Sequence, residues 1–187
     1  GRPTENWLTI YNGGNTALSA DVQVYREDGS QDLAASFFLS DLQPGERRDF
    51  GLGHPSGQVL GIYRIVPSNP SAPYGAFVTR YSFKAGGGFN FAFPVFAEKG
   101  GCDLGAIPAS TMDPAINWGE IANIGDVPLP VSVEIRGPNG ALKFQEGYTI
   151  PARSQKHVYI NAPLGERSVG TLEVRCNSGL ALVQSAF

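Results

Sequence analysis

Asn6-Trp7-Leu8-Thr9-Ile10-Tyr11-Asn12-Gly13-Gly14 returns in the second half of the chain as Asn117-Trp118-Gly119-Glu120-Ile121-Ala122-Asn123-Ile124-Gly125. The match runs without a gap to Ser30 and Ala141 at one offset (117 − 6 = 111), so Leu18, Val22 and Gly29 recur as Leu129, Val133 and Gly140. Both tryptophans lie inside it. A repeat of this length is a small domain copied in tandem. With short gaps the correspondence continues. Leu42–Phe50 matches Ile150–Val158, Gly61–Ile65 matches Gly170–Val174, and Ala76–Val78 matches Ala181–Val183. The loops differ in length, as expected when strands hold the fold and loops drift.

Within each copy the period is two. Ala20, Val22 and Val24 alternate with Asp21 and Gln23, the pattern of a half-buried strand. Asn12-Gly13-Gly14-Asn15 predicts a turn with positive φ. Asp28-Gly29 and Asn139-Gly140 predict type I′ hairpins. Return strands are expected over 33–39, 48–52, 59–66 and 74–83, and again over 142–148, 157–160, 168–175 and 180–187. About seven short strands per copy, with a turn every ten residues, is the pattern of an immunoglobulin-like sandwich. The expected fold is all-β: two tandem immunoglobulin-like β-sandwich domains, residues 1–84 and 85–187.

Gly86-Gly87-Gly88 reads as a flexible joint, followed by a lead-in strand, Phe89–Phe96, at the start of the second domain. Phe89, Phe91 and Phe93 alternate along it, with Val95 in step. Such a stripe is expected to be core. It is also the chemistry of a sugar platform, so a carbohydrate partner stays open.

Composition fits short strands and many turns. Of 187 residues, 17% are charged, and there are 24 Gly, 14 Pro and one Met. The net charge is −3 and no basic run exceeds Arg47-Arg48, which argues against nucleic acid. No apolar run reaches membrane-spanning length. The chain begins at Gly1 without a signal-like segment, as expected of a processed chain or an excised piece. Low charge and tandem β units suit an oxidising compartment, so Cys102 and Cys176 are expected to form a disulfide. On the loop-entropy model that bridge is worth about 4 kcal/mol. The alternative is two buried thiols.

The chain resembles the tandem immunoglobulin-like repeat modules of bacterial secreted and cell-surface proteins. The residues that carry the resemblance are Trp7 with Asn12-Gly13-Gly14, Asp28-Gly29, Val78-Thr79-Arg80-Tyr81 and the joining segment Phe96-Ala97-Glu98-Lys99-Gly100. The second copy has Trp118 and Asn123-Ile124-Gly125 but ends Val183-Gln184-Ser185-Ala186-Phe187, without the Arg. The resemblance implies a noncatalytic, extracellular role and assigns no ligand.

Motifs for chemistry are sparse. His54 and His157 occupy non-equivalent positions, and no nucleophile elbow accompanies either. The two Cys and two His lack the paired spacing of a zinc site. Glu27, Asp28 and Asp32 crowd one hairpin and would suit Ca²⁺, but their counterparts in the second copy carry no carboxylate. They read as a solvated turn. Gly86–Gly88 lacks the Lys-Ser/Thr of a phosphate loop. An Asn–Lys isopeptide link is open to Lys84, Lys99, Lys143 and Lys156. The expectation is therefore a noncatalytic structural protein of the bacterial surface, without cofactor or metal. It would assemble with itself or with neighbouring repeats through edge strands, Phe89, Phe91, Phe93 and Val95 being the candidate assembly strand. The alternatives are a carbohydrate- or protein-binding adhesion module, or accessory domains of a secreted enzyme.

Overall fold

The structure is a computed structural model that describes residues 5–52, 61–84, 86–97, 104–112, 117–177 and 181–186. It is almost entirely β. The strands are β1 (Glu5–Asn12), β2 (Leu18–Arg26), β3 (Phe37–Leu42), β4 (Arg47–Gly51), β5 (Gly61–Pro67), β6 (Tyr74–Phe83) and β7 (Phe89–Phe96). They continue as β8 (Leu104–Ser110), β9 (Trp118–Asn123), β10 (Leu129–Arg136), β11 (Leu142–Ile150), β12 (Gln155–Tyr159), β13 (Val169–Cys176) and β14 (Ala181–Ala186). The single turn of helix α1 (Asn161–Leu164) lies between β12 and β13. The sequence pattern anticipates most of these and misses β8.

Two compact units result: residues 1–24 with 31–98, and residues 99–187 with the hairpin tip 25–30. In the first, one sheet has the order β4-β1-β6-β7 and the other β3-β2-β5. In the second, the orders are β12-β9-β14 and β11-β10-β13-β8. The sequence repeat superimposes β1 to β6 on β9 to β14, so β4-β1-β6 corresponds to β12-β9-β14 and β3-β2-β5 to β11-β10-β13. Among the described residues, each unit thus has the same six strands plus one with no counterpart in its sister.

The boundary expected at 84/85 moves to 98/99. Strand β7 pairs antiparallel with β6, Phe77 opposite Phe96 and Arg80 opposite Phe93. It belongs to the first unit and is not a lead-in to the second. The glycines are a tight hairpin turn and not a flexible joint. Gly86 and Gly87 take φ of 94° and 100°, a region that costs glycine nothing. The Lys84 N–H donates to the Gly88 carbonyl at 2.7 Å.

Alternation places the cores. In the first unit Leu8 and Ile10 meet Leu18, Val22, Leu39, Leu42 and Ala76. In the second, Ile121 and Val158 meet Val131, Val133, Ile135, Leu172 and Val174. Each cluster draws on both sheets of its unit, which gives a β-sandwich-like arrangement.

Two turn expectations are corrected. Gly13 and Gly14 do not take positive φ. The turn is instead held by the buried Asn12, whose Oδ1 accepts from the Gly14 N–H at 2.9 Å while its Nδ2 donates to the carbonyls of Thr16 and Leu42, both at 2.8 Å. Asn123 repeats this. Its Oδ1 accepts from the Gly125 N–H at 2.9 Å and its Nδ2 donates to Val127 at 2.8 Å and Ile150 at 3.1 Å. The hairpins at Gly29 and Gly140 are also not type I′, because the residue before each glycine keeps negative φ. Gly29 N–H donates to Arg26 and Arg26 N–H to Ser30; Gly140 N–H donates to Gly137 and Gly137 N–H to Ala141. That is a type I turn closed by a glycine bulge, the three-residue solution to the same problem.

Candidate functional site

The strand β7 lies at the edge of its sheet. Phe89 and Phe96, at its two ends, are 60% and 62% exposed, so the expectation that the phenylalanine stripe is core fails for Phe89. A register shift at Ser82/Phe83 puts Phe89 opposite Phe83 and Phe91 opposite Ser82, which breaks the simple alternation. Phe93 lies opposite Arg80 and Val95 opposite Val78. The strand carries no charged residue.

The second feature is the outer face of β9 and β12. Antiparallel register sets Trp118 opposite Tyr159, Glu120 opposite His157 and Ala122 opposite Gln155. Successive residues of a strand point to opposite faces. Ile121 and Val158 are therefore buried, and Trp118, Glu120, His157 and Tyr159 share the other side. Trp118 and Tyr159 are 38% and 42% exposed, with ring centroids 4.9 Å apart and planes inclined at 44°. The His157 ring lies 6.4 Å from that of Trp118. Its Nε2 is 3.5 Å from Glu120 Oε1 and 3.3 Å from Gln155 Nε2. This face was not foreseen. The signal was available: both tryptophans recur at one repeat position, yet neither is core.

The same face of the first unit is arranged differently. Opposite Trp7 stands Gly51. A Cβ on Gly51 would lie 3.5 Å from the Trp7 ring, so the indole covers the bare backbone of β4. On the next rung Thr9 Oγ1 donates to Asp49 at 2.5 Å, and Arg47 donates to the same carboxylate at 2.8 Å. The Arg47 and Thr9 hydrogen bonds hold the Asp49 carboxyl below its usual range. The polar groups here are engaged with one another.

The remaining sequence candidates separate. His54, Lys99 and Cys102 lie outside the described residues. Cys176 is buried at the end of β13. Asp28 accepts from the Ser30 N–H and hydroxyl at 2.8 and 2.6 Å, and these bonds lower its pKa. Asp32 accepts from the N–H groups of Ala34 and Ala35. Both carboxylates are turn-formers. Among the described residues no group of three His, Cys, Asp or Glu is placed to hold a metal ion, and no helix is long and apolar enough to cross a membrane.

No family model matches the chain, and no curated protein matches it. Among solved structures, the Anabaena sensory rhodopsin transducer is similar over 48% of this chain and 100% of its own, at 22% identity and a TM-score of 0.40.

Proposed function

We propose that this chain is a noncatalytic structural protein of the bacterial surface, built of two immunoglobulin-like units, that joins its neighbours through the free edge of β7. One observation carries the reading: an eight-residue edge strand, rich in phenylalanine, with no charge anywhere along it. Edge strands recruit other strands unless they are shortened, charged or covered. Pro94, which stands opposite Thr79, is the one residue of β7 without an N–H to offer. The second unit supplies a matching acceptor. Its β14 ends a three-stranded sheet at the position that β7 fills in the first unit. Contact from the β7 edge of one molecule to the β14 edge of the next is head to tail, and such contacts propagate as filaments or close as rings. An oxidising, extracellular setting belongs to the same proposal, as does a Cys102–Cys176 disulfide.

Light scattering across a concentration series, with negative-stain images, tests this. The wild-type chain is expected to assemble, and the double variant Phe89→Lys, Phe96→Lys to stay monomeric. A wild-type chain that remains monomeric at its highest attainable concentration would refute the reading.

A further inference from the structure

We infer that the outer face of β9 and β12 is a carbohydrate-binding site in which Trp118 and Tyr159 stack on the C–H face of a neutral pyranose ring and Glu120, His157 and Gln155 hold its hydroxyls. The inference is independent of assembly through β7. It uses other residues, on the other unit.

Four observations point to a sugar. First, two large aromatic rings stand side by side on the solvent face of a sheet, 38% and 42% exposed. A solitary exposed aromatic is ordinary, whereas a paired one presents a continuous apolar patch. Second, that patch borders polar groups that stay partly open. The side chains of Glu120 and His157 retain 21% and 17% exposure. A carboxylate accepts through about four lone-pair sites and an amide both donates and accepts, so the rungs beside the rings keep capacity for hydroxyl groups. Saccharides need this combination, an apolar ring face with hydroxyls around its rim. A few convergent polar groups beside an aromatic wall is the general form of a small-molecule site. Third, the row is bounded. The accessible part of β9 runs from Trp118 to Glu120, two strand steps or roughly 7 Å, beside Tyr159 and His157 on β12. Ala122, buried at 8% exposure, ends it.

Fourth, the first unit supplies an internal control. It keeps the tryptophan but replaces Tyr159 by Gly51, and its next rung is closed by the Thr9–Asp49–Arg47 bonds. If exposed tryptophan were only a feature of the frame, both faces would look alike. The difference lies in the partner ring and in the polar rung beside it. The proposed site therefore lies on the second unit.

The experiment uses the full chain with Trp7→Phe, which leaves Trp118 as the only indole. Cellohexaose, chitohexaose, laminarihexaose and mannohexaose are titrated separately while Trp118 emission and the heat of binding are followed. At least one of them is expected to bind and to shift that emission. Tyr159→Ala is expected to weaken binding tenfold or more, and Tyr159→Phe to leave it within twofold. Gln155→Ala is expected to weaken it several-fold, with the near-ultraviolet circular dichroism of the fold retained. Absence of binding by all four oligosaccharides up to their solubility would overturn the inference. So would binding that Tyr159→Ala leaves untouched in a folded chain.

Discussion

The two units share six strands and differ in where the seventh lies. In the first, β7 extends the sheet of β1; in the second, β8 extends the sheet of β10. The consequence is visible in the cores. Beside β8, Leu172 and Val174 of β13 are fully buried at 0% exposure. The aligned Tyr63 and Ile65 of β5, which has no such neighbour among the described residues, remain half-buried. Burial is still enough to push the Tyr63 phenol up. The repeat fixes a frame, and the added strand decides which sheet is sealed and which edge is left to recruit.

Each unit carries one tryptophan, so the comparison has a built-in readout. Trp7 reports on the first unit and Trp118 on the second. The largest separation of the two signals is expected on reduction. Leu104 pairs with Arg175. Cys176 follows Arg175 at that end of β13, and in sequence Cys102 stands two residues before Leu104, with the proposed disulfide between them. Reductant is expected to lower the stability of the second unit by about 4 kcal/mol. Denaturant midpoints in Trp7→Phe and Trp118→Phe backgrounds check this. Equal shifts in both, or two free thiols by intact mass in air-isolated protein, would break the comparison.

A smaller but more local difference is expected from Gly170→Ala. A Cβ there would lie 2.2 Å from the Arg136 carbonyl oxygen and 2.7 Å from Leu164 Cδ1. The oxygen belongs to the backbone of β10, the neighbour of β13, so one of the two strands has to shift. The cost is on the order of 3 kcal/mol. It should appear in the Trp118 transition and leave the Trp7 transition in place. A substitution tolerated without loss would mean that the β10–β13 ladder is looser than the register indicates.

Much of this frame was legible because its signals are local. Alternation in β2 and β10, the glycine of each hairpin and the repeat itself all depend on neighbours in sequence. What escaped depends on partners far along the chain. Asn12 and Asn123 read as turn residues. Their buried amides in fact reach across to Leu42 and Ile150, thirty and twenty-seven residues away. The assignment of β7 to the first unit rests on pairing with β6, which a run of glycines conceals because the same residues suit a linker or a turn. Strand β8, with Gly105 and Pro108 in a weakly apolar run, has little strand propensity; its pairing to β13 is tertiary. The Trp118–Tyr159 face joins residues 41 positions apart (159 − 118), so only register brings them together. The repeat marked Trp118 from the outset, but nothing in sequence announced that Tyr159 and His157 would flank it.

The smallest expected effect is a difference in alkaline behaviour. Tyr148 on β11 has no phenolic counterpart in the first unit, where the aligned residue is Ser40. Burial, together with a hydrogen bond from its hydroxyl to Glu146 and the charge of that carboxylate, pushes the phenol from 10 up to about 12. The fold therefore favours the protonated form. Below pH 10 neither state has lost the proton and the contribution is fully present. Between pH 10 and 12 the unfolded chain releases it first, so the unfolded state binds fewer protons and stability falls as pH rises. Above 12 both states are ionised and the contribution is gone. Lys156 Nζ lies 5.0 Å from the centre of the Tyr148 ring, a cation–π contact. Over the same interval the second unit is expected to lose stability more steeply with Tyr148 than in a Tyr148→Phe variant, read through Trp118. The Trp7 profile should be identical in the two proteins, because Tyr63 and Tyr74, whose phenols burial also raises, are unchanged. Superimposable Trp118 profiles across pH 10 to 12 would show that the Tyr148 proton is not linked to the folding of the second unit.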